Sequence, residues 1–233
     1  MKKILTIPLF TGLLASCAPY EKSDRTILLD NTEARQESIT HQALFSLVKD
    51  MVQGKAVITE ISDQSINQST VVSKKVEGTF LLRVEREAQE QEEQFKKSFF
   101  QAVDQYEQAL EDKNQSFVFE SIASQCIRLA SSSANDKQLW IFGDMLHHTD
   151  DFSFYHYRKT PQKIMTDYEQ IVLKLESLEP AMTDIDLTGI QIHVVYYPTK
   201  KNDLLFRQVR SFWIRYFQSK NATFTFSTHL ENL

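Results

Sequence analysis

From residue 26 onward, short runs of consecutive apolar residues alternate with stretches in which apolar residues recur every three or four positions. The first run, Thr26-Ile27-Leu28-Leu29, ends in Asp30. Compact runs of this kind suit strands buried on both faces, as in parallel sheets. The period then changes. Ile39, Ala43, Leu44, Leu47, Val48 and Met51 form one stripe of an amphipathic helix, with Gly54 as its C-cap. Ala56 to Ile61 predicts a second strand, and Thr70 to Ser73 a weak edge strand. Glu85 to Asp112 contains no Gly or Pro and predicts one long helix. Its first ten residues are nearly all polar, and Phe95, Phe99, Val103, Tyr106 and Leu110 form a stripe beyond them. Val118 to Ser131 predicts a further helix, with Ser116 as a candidate N-cap.

The alternation continues to the C-terminus. Lys137 to Asp144 predicts a buried strand in which Trp140 and Phe142 share one face and Leu139 and Ile141 the other. A loop rich in histidine and aromatic residues follows, over 145–160. Pro161 opens a helix with the stripe Ile164, Tyr168, Ile171, Val172, Leu175 and Leu178. Ile190 to Tyr197 predicts a strand ended by Pro198, Asp203 to Lys220 a helix with Asn221 as C-cap, and Thr223 to Phe226 the last strand. The order β-α-β-(β)-α-α-β-α-β-α-β predicts an α/β fold: an open, doubly wound, mostly parallel sheet with helices on both faces. The apolar runs ending at Leu29, Ile61, Phe142 and Val195 are expected to be neighbouring parallel strands. Ligands of such sheets sit at the carboxyl ends of the strands.

The N-terminus has its own pattern. Lys2 and Lys3 precede an apolar stretch from Ile4 to Leu14, too short for a spanning helix of about 20 residues. It reads as the apolar region of a signal peptide. The run Leu14-Ala15-Ser16-Cys17 resembles the bacterial lipoprotein lipobox. The resemblance implies cleavage before Cys17 and acylation of that cysteine, and several acyl chains anchor stably where one does not. Residues 1–16 are then the lipoprotein signal peptide, 17–25 a lipidated tether, and 26–233 one α/β domain. The expected location is the bacterial cell envelope, with the domain in the periplasm or outside. Ala18 lacks the acidic character that holds some lipoproteins in the inner membrane, which favours the outer membrane.

Composition narrows the chemistry. Net charge is −5 over 233 residues, and it becomes −7 once Lys2 and Lys3 are removed. A general grip on nucleic acid wants a basic face, so no nucleic-acid partner is expected. Two cysteines exclude a disulfide scaffold. Cys126, in the pattern Ile122-x-x-x-Cys126-Ile127, reads as a buried thiol. No Gly-rich phosphate loop, GxSxG elbow or HExxH motif occurs.

The element order and three short segments resemble a von Willebrand factor A-type domain. Asp30-Asn31-Thr32-Glu33-Ala34 stands where that family has Asp-x-Ser/Thr-x-Ser, Ser116 stands as the loop hydroxyl, and Asp144 as the aspartate after a central strand. The resemblance implies a divalent cation site of Asp30, Thr32, Ser116 and Asp144. It implies magnesium or calcium, since the ligands are oxygens. Binding is expected to be weak, because Ala34 replaces an oxygen ligand. The family uses such a cation to accept an acidic side chain from a partner protein. A plainer reading of the same aspartates is that they cap helices and bond loop amides at the sheet edge. His147, His148, Asp150 and Asp151 form a second cluster, expected at the rim of a partner-binding surface. The function expected is a lipid-anchored binding or scaffold module with an envelope protein as partner. The alternatives are a metal-dependent hydrolase using the Asp30/Asp144 crevice, with His147 or His148 as acid or base, and a carrier of a small ligand.

Overall fold

The computed structural model describes residues 21–30, 39–61, 69–75, 85–107, 115–196 and 203–228. The signal segment, Cys17, Thr32, Ala34 and the far end of the long helix lie outside the described residues. The elements are β1 (Lys22–Asp30), α1 (His41–Ser46), β2 (Gln53–Ile61), β3 (Ser69–Lys74), α2 (Glu85–Glu107), α3 (Val118–Ala130), β4 (Asp136–Phe142), α4 (Lys163–Thr166), α5 (Tyr168–Leu178), β5 (Ile190–Val195), α6 (Asp203–Ser219) and β6 (Thr223–Ser227). One sheet of six strands has the order β3-β2-β1-β4-β5-β6. β3 runs antiparallel to β2 at one edge, and every other pair is parallel. The four apolar runs expected to be parallel neighbours are β2, β1, β4 and β5, side by side.

Strand periodicity sends alternate residues to two cores. Leu28, Leu139, Ile141, Ile192 and Val194 join the core built with α3, α4, α5 and α6, around Phe119, Phe154, Trp213 and Phe217. Ile27, Leu29, Ile58, Trp140 and Phe142 join the other, with Phe45 of α1 and Phe95, Phe99 and Val103 of α2. Helices therefore lie on both faces, and β1 is buried on both from Ser23 onward, whereas on β5 the face opposite Ile192 and Val194 keeps Gln191 exposed and His193 half-buried.

Several boundaries differ from the sequence reading. The tether was expected to reach residue 25, yet β1 starts at Lys22. Polar residues can be buried here because their charges are matched. Asp24 accepts two bonds from Arg128, at 2.8 and 2.9 Å, and one from Ser132 at 2.8 Å. Arg25 donates to Asp136 (2.9 Å), Asp50 (2.6 Å) and the Leu47 carbonyl (2.6 Å). Gly54 is no helix cap. It lies within β2 at φ +145°, where a side chain would run into the Ser23 backbone of β1. The stripe after Pro161 is divided into α4 and α5 at Asp167. Asn221 does close α6 in the left-handed region, at φ 63°. Cys126 is a free, buried thiol whose pKa burial pushes up to about 12.

Candidate functional site

β1 and β4 are adjacent, and their pairing ends at Leu29 opposite Phe142. The next residues, Asp30 and Gly143, therefore face one another. A Cβ on Gly143 would fall 2.6 Å from the Asp30 Cβ and 2.7 Å from its Oδ2. Such distances are closer than any packed carbon tolerates, so glycine is what lets the two strand ends approach. Asp144 follows at once, and both carboxyls are buried, with Asp30 fully covered and Asp144 4% exposed. Burial first, and the negative charge of Asp30 second, raise the Asp144 pKa well above the usual carboxylate range. The two aspartates thus share one desolvated environment.

The turn after Asp144 is held from three sides. Asp144 Oδ1 accepts from the Leu146 amide at 2.8 Å. Met145 takes φ +62°, a conformation that costs a non-glycine residue about 1 kcal/mol or more. The buried Trp213 donates its indole N–H to the Met145 carbonyl at 3.1 Å. The reading of Asp144 as a loop-amide acceptor therefore describes one of its oxygens.

Ser116 lies on the segment leading into α3. It does not cap that helix, whose N-cap is Phe117 without a side-chain bond. Its backbone pairs with His148 in both directions, at 2.7 and 3.0 Å. This ties the start of α3 to the loop that leaves Asp144. Its Oγ is buried and has no hydrogen-bond partner.

The 145–157 loop places its residues unequally. His147 is fully buried, so it is no part of an accessible rim. Its Nδ1 accepts from the Phe119 amide at 3.3 Å, and its Nε2 meets Thr149 Oγ1 at 3.2 Å. That pairing fixes the proton on Nε2. Burial lowers its pKa to about 4. His148 is half-buried, with Nδ1 2.9 Å from Ser153 Oγ. Asp150 and Asp151 are exposed, and Asp151 comes within 3.5 Å of Lys174.

Glu120, in the first turn of α3, escaped the sequence reading. It is 5% exposed, its Oε2 lies 3.5 Å from His147 Nδ1, and that oxygen has no hydrogen-bond partner. Burial raises its pKa to about 7. With His147 neutral, this contact is not an ion pair at neutral pH. Its only signal in the sequence is an acid one residue from the apolar face of a helix. Gly143 was equally silent, because its role is steric and lies across the sheet.

Two carboxyls and a hydroxyl suit a hard cation in donor chemistry. Among the described residues, no group of three or more His, Cys, Asp or Glu side chains could hold a metal ion. No described helix is long and apolar enough to cross a membrane. No family model matches the chain, and no curated protein does. Among solved structures, the chain is similar to the D319A mutant of the PilB minor pilin from Streptococcus sanguinis, with a TM-score of 0.50 and 7% identity. The match covers 92% of this chain and 59% of that one. At this identity the likeness concerns the fold alone.

Proposed function

We propose that this chain is a lipid-anchored protein of the bacterial cell envelope. Its doubly wound domain is of the von Willebrand factor A type and acts as a protein-binding or scaffold module at the carboxyl ends of β1 and β4. The observation that carries the reading is the meeting of Asp30 and Asp144 across Gly143, which buries two carboxyl groups together. A buried carboxylate pair is costly unless something neutralises it. A divalent cation would, and Ser116 Oγ is a buried oxygen without a partner beside the same loop. Asp30, Asp144 and Ser116 would hold magnesium or calcium, and Thr32 belongs to the same motif. Such an ion would accept an acidic side chain of the partner. Asp150, Asp151 and His148 would shape the rim. The hydrolase alternative draws less support, because both ring nitrogens of His147 and the Nδ1 of His148 are already engaged.

Titration calorimetry of the full chain in detergent, with each ion, tests this. Weak binding is expected for the wild type, tighter binding for Ala34→Ser, and none for Asp144→Asn. An envelope protein retained by the wild type should be released by a chelator and should not be retained by Asp144→Asn. Retention that ignores both changes would exclude the crevice as the binding site. For the anchor, Cys17→Ser should abolish metabolic fatty-acid labelling and shift the chain to soluble fractions. Equal labelling of both forms rejects Cys17 as the lipidated residue.

A further inference from the structure

The opposite end of the sheet gathers exposed lysines. Lys22 opens β1, Lys55 lies near the start of β2, Lys75 follows antiparallel β3, and Lys49 lies in the turn into β2. Register brings them together: Lys22 is opposite Gln53, Gly54 opposite Lys74, and Lys55 opposite Ser73. All four lysines are exposed and form no ion pair among the described residues. Four of the acids at this end are engaged by cations of the fold. Asp24 pairs with Arg128, Asp50 and Asp136 with Arg25, and Glu92 with Lys74. A cleft of about 480 Å³ opens beside Lys22 and Lys55, with Arg128 and the hydroxyl-bearing turn Ser131 to Ser133 on its wall. This basic face belongs to a chain of net charge −5, so it is not a consequence of overall composition.

Only four residues lie between Cys17 and Lys22, which makes five Cα-to-Cα steps. Even fully extended, they reach about 18 Å. A lipid on Cys17 therefore keeps this end of the sheet near the headgroups, where attraction between lysines and anionic lipid is strong within a Debye length of about 8–10 Å. Tethering also removes most of the entropic cost of the encounter.

We infer that the lysine face formed by Lys22, Lys49, Lys55 and Lys75 docks on anionic phospholipid headgroups and turns the Asp30/Asp144 crevice away from the membrane. The inference rests on the proposed lipid anchor. β1 has nine residues and spans about 26 Å, which sets the crevice that far above the docking face. Exposed Asp184 and Asp186 lie before β5, at the same end of the sheet. Anionic lipid repels them, so the domain tilts toward its β1–β3 side. Glu21, exposed beside Lys22, offsets part of the attraction.

The processed lipoprotein can be reconstituted into phosphatidylcholine vesicles with and without phosphatidylglycerol and treated with an aqueous amine-reactive reagent. Mass spectrometry should find Lys22, Lys49, Lys55 and Lys75 protected several-fold only when phosphatidylglycerol is present. High salt should abolish that protection. Lys159 and Lys163, beyond the opposite end of β4, should react equally in both vesicles. Equal reaction of the four lysines in the two vesicles overturns the docking. Protection by free glycerol phosphate in pure phosphatidylcholine vesicles overturns it in favour of a soluble anion. Wild-type protein that takes up fatty acid but shows no protection keeps its anchor and loses this orientation. Protein that takes up no fatty acid loses both.

Discussion

Asp144 is the residue on which most of the site's physics converges. Its folded-state pKa lies above its unfolded value, so its contribution to stability is complete below about pH 4 and is lost as pH rises toward neutrality. Glu120, raised to about 7, acts in the same direction. His147, lowered to about 4, acts in the opposite one: its contribution is present above about pH 6.5 and is lost as pH falls toward 4. Asp144→Asn keeps the acceptor for the Leu146 amide and removes the charge. Without divalent cations, its melting temperature should exceed that of the wild type by a margin that grows from about pH 5 to about pH 8. A constant margin would mean that Asp144 is not held protonated by its surroundings. Gly143→Ala places a methyl group against Asp30 and should cost about 1–3 kcal/mol in denaturant unfolding, with loss of any cation binding.

At the scale of elements, the Asp144 turn depends on a helix distant in sequence. Trp213 of α6 holds the Met145 carbonyl across 68 positions and is itself fully buried. Trp213→Phe leaves that carbonyl without its donor and leaves a small void. A loss of about 2–4 kcal/mol is expected, read from urea unfolding at unchanged slope. Amide hydrogen exchange of Leu146 and His147 should rise more than that of β5, since the turn loses its clamp first. Exchange that rises equally everywhere would show that Trp213 supports only the general core. The loop beyond is also built from long-range pairs. Ser116 and His148 share two backbone bonds, and Phe119 donates to His147. The histidines that looked available in the sequence are therefore structural to different degrees, with His147 wholly so.

Over the whole molecule, the aspartate crevice and the lysine face lie at opposite ends of the strands. Buried Asp30 and Asp144, with exposed Asp150 and Asp151, lie toward the carboxyl ends of β1 and β4. Exposed lysines gather where β1 and β2 begin. In the proposed orientation, membrane attachment and partner binding occupy opposite ends of one sheet. Neutralising the lysine face should then change membrane orientation without changing cation affinity. Replacing Lys22 and Lys55 by Gln should leave the calorimetric titration of the anchored protein unaltered, while Asp144→Asn should abolish cation binding and leave lysine protection intact. Loss of both properties in either variant would argue that the two ends are coupled.

The strand and helix types, their order and the central parallel strands were legible because they depend on local periodicity. A strand buried on both faces must be apolar throughout, and a helix buried on one side must repeat every three to four residues. The same reasoning kept Cys126 in a core and read Asn221 as a helix cap, while the expectation that Asp30 and Asp144 end adjacent strands came from the topology that the family resemblance implies. What it missed depends on partners far away in the chain. Lys22 to Arg25 look like a polar tether until Arg128, Asp50 and Asp136 are brought beside them. Gly54 looks like a cap until the Ser23 backbone occupies the space where its side chain would be. His147 looks like a rim ligand until Phe119, Thr149 and Glu120 close around it. Pattern determines which residues leave water. Only the tertiary structure decides which polar groups meet once they have left it, because burial makes their charge depend on neighbours that the chain order does not reveal.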